Sequence, residues 1–129
     1  MATGFPFTTG DVFTAAAANG LVAYTLNAQT GTTYTAASTD QYQVLVTMSN
    51  ASANTFYIPT DATYNFPVGT AITVAQEGAG VTTITATTPA TTTIQSAGAT
   101  AGSPVLARYK AAVCVKLAAN SWRVYGAIA

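Results

Sequence analysis

From Gln43 onward the chain alternates hydrophobic and polar residues with a period of two. Val44, Val46 and Met48 share one face of "QVLVTM", and after the polar turn "SNASAN" Phe56 and Ile58 share one face of "TFYIP". Alternation of this kind marks strands with one face buried, so the pair predicts a hairpin. After "PTDATYNFPVG", Ile72 and Val74 alternate in "TAITVAQ", the glycines of "EGAG" permit a tight reversal, and "VTTITAT" returns as a second predicted hairpin. Pro89 interrupts the threonine-rich stretch "VTTITATTPATTTI" and belongs between strands, because proline cannot donate to an interior ladder. "TTTIQSA" resumes as a strand, and "GATAGSP" is a surface loop. "VLARYKAAVCVKL", the turn "AANS" and "WRVYGAI" form a long closing hairpin, with Val113, Val115 and Leu117 expected to face Trp122 and Val124.

Residues 1–42 are less regular. The alanine run after Thr14 suits two helical turns, with Thr14 as N-cap and Asn19-Gly20 as the stop. Phe5, Phe7 and Phe13 lie in a segment too short to bury them, so they need a host surface, either the domain's own sheet or a neighbouring subunit. The expectation is an all-β fold of roughly eight strands: a single-domain antiparallel β-sandwich or barrel, jelly-roll-like, with a short irregular N-terminal arm. Residues 1–42 form the arm and irregular segment, and 43–129 the sandwich.

Charge changes the picture more than length does. The 129 residues carry no net charge and no histidine, and only 6% are Asp, Glu, Lys or Arg, against about 25% in an ordinary soluble domain. Such a chain has little colloidal repulsion and is expected to be covered by other copies or by a host structure. Asp11, Asp40, Asp61 and Glu77 all precede Arg108, Lys110, Lys116 and Arg123. Complementary ends suit head-to-tail contacts between subunits, and pairing of the two ends within one chain is the alternative. Four basic residues are too few for a nucleic-acid footprint. No apolar run approaches the roughly 18 residues that a membrane span needs, and the first residues lack the pattern of a secretion signal.

Little chemistry is on offer. Without histidine the commonest general base and metal ligand are missing. The single Cys114 sits in the apolar run "AAVCVKL" and reads as a buried, inert thiol. The carboxylates show neither glycosidase pairing nor the clustered spacing of a calcium loop. Asn50-Ala51-Ser52 fits the N-glycosylation triplet, which arises often by chance. The Thr-x-Thr spacing suggests ice binding, but no fixed period accompanies it. No cofactor and no enzymatic activity are expected.

"LVTMSNASANTFYIP", "FPVGTAITVAQEGAGVTTI", "IQSAG" and "KLAANSWRVYG" together resemble a β module found in virion proteins of tailed bacteriophages, and "GFPFTTGDVFTAAAANGL" resembles the first residues of phage tail and fibre proteins. The likeness covers about residues 43–126 and the first twenty. It implies a structural virion protein, commonly trimeric, with no catalytic residue to carry over. The module is nearly the whole chain, without a fibre shaft, which suits a capsid decoration or cement protein. Such a protein clamps neighbouring subunits of the major capsid protein as a homo-oligomer, a trimer by preference, on the capsid surface of a virion made in the bacterial cytoplasm. A head-fibre or tail-tip module that binds host surface glycan is the alternative. Phe5, Phe7, Phe13, Arg108, Tyr109, Lys110, Arg123 and Tyr125 are the candidate subunit or capsid contacts, with Thr91 to Thr93 as a further meeting point between subunits.

Overall fold

The computed structural model describes residues 24–96 and 103–126. Among them are ten strands: β1 (Thr25–Gln29), β2 (Thr33–Thr35), β3 (Val44–Met48), β4 (Asn54–Ile58), β5 (Ala71–Gln76), β6 (Thr82–Ala86), β7 (Thr93–Ser96), β8 (Val105–Leu106), β9 (Ala111–Ala118) and β10 (Ser121–Gly126). A 3-10 turn over Ser38–Gln41 precedes β3. The strands make a six-stranded sheet in the order β1-β3-β5-β9-β10-β7 and a four-stranded sheet in the order β2-β4-β6-β8. Expected all-β architecture is present, with the apolar residues of both sheets gathered in one core.

Strand direction departs from the antiparallel expectation. β1 with β3, β3 with β5, β2 with β4, β4 with β6 and β7 with β10 pair in parallel. Only β5 with β9, β9 with β10 and β6 with β8 are antiparallel. The first six strands wind as three stacked rungs, each placing one strand in the large sheet and the next in the small one. Leu26, Leu45 and Thr73 stack in the first sheet, and Tyr34, Phe56 and Ile84 in the second. The loops between rungs differ in length, so the stack leaves no fixed period in the sequence.

The two predicted hairpins are therefore arches. "SNASAN" carries the chain from β3 across to β4, and "EGAG" from β5 across to β6. They lie directly on one another: the Gly80 amide donates to the Asn50 carbonyl at 2.9 Å, and Glu77 N to Met48 O at 2.8 Å. Asn50 Nδ2 donates to Thr30 O at 2.8 Å, tying in the first arch, while Asn50 Oδ1 accepts Ser52 N. The Asn50 side chain is thus used structurally. Alternation fixes which residues point inward, but it is the same whether the next strand pairs beside its predecessor or crosses to the facing sheet.

Residues 25–41, assigned by sequence to the irregular segment, supply the first rung and the turn behind it. The expected helix after Thr14 and the aromatic residues Phe5, Phe7 and Phe13 lie outside the described residues. The closing hairpin of β9 and β10 is present, with Asn120 in the left-handed region at its turn. Its phase is opposite to the expectation. Ala112, Cys114 and Lys116 point into the core beside Val124 and Trp122, whereas Val113, Val115 and Leu117 face outward. "VLARYK" is not part of β9, since Val105 and Leu106 pair with β6 in the other sheet. β7 runs parallel to β10 at the far edge, so the closing hairpin is wedged between the third rung and β7.

Three polar clusters interrupt the core. At the first rung the buried Asp40 carboxylate accepts Tyr34 Oη at 2.7 Å, Asn27 Nδ2 at 2.9 Å and Ala37 N at 2.8 Å. Under the arches, Gln76 Nε2 donates to Thr82 Oγ1 at 2.6 Å, Thr82 Oγ1 donates to Asn54 Oδ1, and Gly78 N donates to Gln76 Oε1. Replacing Thr82 by valine keeps the shape but leaves Gln76 Nε2 and Asn54 Oδ1 with only their long 3.4 Å hydrogen bond to each other in an apolar setting. Urea unfolding should register a loss of about 1–3 kcal/mol; no measurable change would mean that the cluster is hydrated.

The third cluster answers the question of the segregated charges. Lys116 Nζ is buried and donates to Asp61 Oδ1 at 2.8 Å, Asn65 Oδ1 at 2.7 Å and Phe66 O at 2.7 Å. This acid and base pair within the chain. Asp61 Oδ2 also accepts Asn120 N, and Asn120 Oδ1 accepts Asp61 N and Thr92 Oγ1. Phe66, held in place by this cluster, packs edge-on between Tyr64 and Trp122, with ring centroids 4.6 and 5.6 Å away.

Candidate functional site

Outward residues of the two sheets differ in kind. The small sheet presents Thr33, Thr35, Thr55, Tyr57, Thr83 and Thr85, a neutral hydroxyl surface. In the large sheet, Leu26, Leu45, Thr73, Val113 and Tyr125 stand directly opposite one another across five strands. Ala71, Val115 and Arg123 make the next row, and Arg123 pairs with Gln95 on β7. Leu26 is 67% exposed, Tyr125 53% and Leu117 44%. Arg123 is the only charge among these outward positions. A monomeric protein rarely leaves so continuous an apolar surface open to water.

Apart from the buried Lys116, both phases of β9 are apolar over "AAVCVKLA", which explains why the sequence misled on phase. Alternation with one polar phase marks a sheet wetted on one side, whereas strands apolar on both phases are those covered on both faces. Sequence reasoning missed Leu26, Leu45, Val113, Val115 and Leu117 as surface residues, although that double apolar phase was the available signal.

At the end of the molecule where the arches lie, residues 107–110 turn the chain from β8 into β9. Tyr109 N donates to Gln76 O at 2.6 Å and Gln76 N to Lys110 O at 3.0 Å, so this turn sits against the last residue of β5. Tyr109 has φ of 64°, a left-handed conformation that is uncommon for a bulky residue, and its ring is 70% exposed. Arg108 Cζ lies 4.7 Å from that ring's centroid, within cation–π range. Of the eight sequence-predicted contacts, Arg108, Tyr109 and Lys110 come together here, with Tyr125 near the same end of the closing hairpin and Arg123 two residues behind it on the same face. Phe5, Phe7 and Phe13 lie outside the described residues. Thr92 is buried against Asn120 and Thr91 is exposed; Thr93 points outward at the edge strand β7.

Among the described residues no three His, Cys, Asp or Glu side chains gather as a metal site, and no helix is long and apolar enough to cross a membrane. Cys114 is fully buried, and burial pushes its thiol up to about 12. Tyr34 is also pushed up to about 12, first by burial and then by the adjacent Asp40 carboxylate. Both groups resist deprotonation in the folded state more than in the unfolded chain. The unfolded chain therefore loses these protons first, and the stabilisation, complete below about pH 9, drains away as pH rises towards about 12. Stability measured by urea across this window should fall, less steeply in Tyr34→Phe; an equal fall in that variant would show that Tyr34 is not responsible. Comparison with protein-family models, with curated proteins and with solved structures returns no match.

Proposed function

We propose that this protein is a structural virion subunit: a capsid decoration or cement protein that clamps neighbouring subunits of a bacteriophage capsid, acting as an oligomer and without catalysis. Its main support is the outer face of the large sheet, where Leu26, Leu45, Val113 and Tyr125 form a neutral apolar row. Burying that row against neighbours removes apolar area from water and raises the free energy of disrupting the particle. The resemblance of the "SNASAN", "FPVGT" and "GAG" segments to phage virion modules supports the same reading. Those segments form the stacked arches and the loop under Lys116, which are structural parts.

A second reading, a fibre or tail-tip module that binds host glycan, draws on the exposed Tyr109 and Tyr125 rings, since aromatic faces stack on sugars. Electron-microscopy localisation in the particle separates the two. Regular density at three-fold or quasi-three-fold positions of the capsid is the expected result, and density confined to the tail or one vertex would overturn it. Removing residues 1–13 should weaken docking or subunit contacts more than the fold; a collapse of thermal stability would place the arm in the core instead.

A further inference from the structure

Resting on the reading that the outer face of the large sheet is covered in an assembly, we infer that the surface covering it is a protein surface bearing carboxylates around an apolar centre, and not a second copy of this chain. The fold uses two of the acids internally. Asp40 is buried among Tyr34, Asn27 and Ala37, and Asp61 is consumed by Lys116. The charges left at the surface among the described residues are Glu77, Arg108, Lys110 and Arg123. Asp11 lies outside the described residues, and the surface of the described ones carries three cations and one anion, which sits in the arch beside the turn that carries two of the cations.

The cations lie on two sides of the apolar row: Arg123 in the next row beside Val115, and Arg108 and Lys110 in the turn that leads into β9 at the arch end. Arg123 stands on the face itself, where Nη2 donates to Gln95 Oε1 at 3.0 Å and Nε meets no acceptor among the described residues. Arg108 and Lys110 flank the exposed, left-handed Tyr109. Holding a bulky side chain in that conformation costs about 1 kcal/mol or more, and it turns an aromatic ring outward between two cations. Arginine and tyrosine at the border of an apolar centre are the residue types that dominate interface energetics. A second copy bringing the same face would set cation against cation with one glutamate to offset them, whereas a carboxylate-bearing partner pairs all three.

The test uses the full chain and, as probe, a random copolymer of glutamate and tyrosine, with a lysine–tyrosine copolymer and polyphosphate as controls. Expected is salt-sensitive binding to the glutamate copolymer alone, weakened about tenfold or more in the Arg108→Glu/Lys110→Glu double variant and also weakened in Leu26→Ser. Arg108, Lys110 and Leu26 are exposed, Arg123 is partly covered and its Arg123→Gln variant should also weaken binding, and circular dichroism of each variant checks the fold. Absence of binding, equal binding to polyphosphate, or equal binding by the double variant would overturn the inference. So would dimers, seen by sedimentation, that Leu26→Ser abolishes and the double variant retains; that result would leave the assembly reading standing. Failure of the assembly reading is read separately, as the protein's absence from capsid density.

Discussion

Replacing Lys116 by alanine is expected to cost about 3–5 kcal/mol of folding stability, the range for removing one partner of a buried ion pair. The ammonium is buried and fully satisfied by Asp61 Oδ1, Asn65 Oδ1 and Phe66 O. Without it the Asp61 carboxylate loses its cation, and the Phe66 carbonyl and Asn65 amide oxygen lose their donor. The loop between β4 and β5 then has no fixed point against β9, and Phe66 loses the geometry that sets it edge-on to Trp122 at 5.6 Å. A double variant, Lys116→Met with Asp61→Leu, should recover part of the loss, because an apolar pair of similar volume removes both desolvation costs. Asp61 also holds the β9–β10 turn through Asn120, so recovery should stay incomplete. Urea unfolding of the two single variants and the double supplies the cycle. A loss below about 1 kcal/mol for Lys116→Ala would mean that the pair behaves as a surface salt bridge.

Gly80→Ala is the second large effect, at about 3 kcal/mol, the upper end of the range for overpacking. A Cβ at Gly80 would stand 2.1 Å from Ser52 O and 3.0 Å from Asn50 O, and one at Gly78 would stand 2.4 Å from Asn50 N. These atoms are backbone, so no rotamer change relieves the contact. Relief requires the two arches to part, which lengthens the bond from Gly80 N to Asn50 O and loosens the register between β4 and β6. Gly69 provides the control: its φ is +95° with nothing within 4 Å of an added Cβ. Gly69→Ala therefore meets only conformational cost, about 1 kcal/mol. Chemical denaturation of both variants checks the contrast, and an equal or smaller effect at Gly80 would show that the arches are not in close contact.

The arches also show why function is hard to read from the threonine-rich stretch. Thr82 and Thr92 are buried hydrogen-bonding residues, whereas Thr83 and Thr85 form part of an outward hydroxyl face. One residue type in one segment serves both the core and the surface. The β-branched side chain suits strand geometry in either position.

Strand existence was legible from period two at Val44–Met48, Asn54–Ile58, Ala71–Gln76 and Thr82–Ala86, and burial of Cys114 from its apolar neighbours. Low charge pointed to a covered surface before any fold was known, whereas the apolar Val113, Val115 and Leu117 were read as the core face of β9. These are local properties, set by each residue's size, polarity and place in the alternation. Strand direction, arch instead of hairpin, and the partition of the charges were decided only by the tertiary structure. The same alternating pattern serves a lateral and a crossing connection, and what selects between them is contact between residues far apart in sequence: Gly80 against Ser52, Asn50 against Thr30, Lys116 against Asp61. The sequence determined that this chain would form β strands with few charges. The fold determined that Asp40 and Asp61 would be spent inside and that Arg108, Lys110 and Arg123 would stay at the surface, because burying a carboxylate requires donors that only the folded chain brings together.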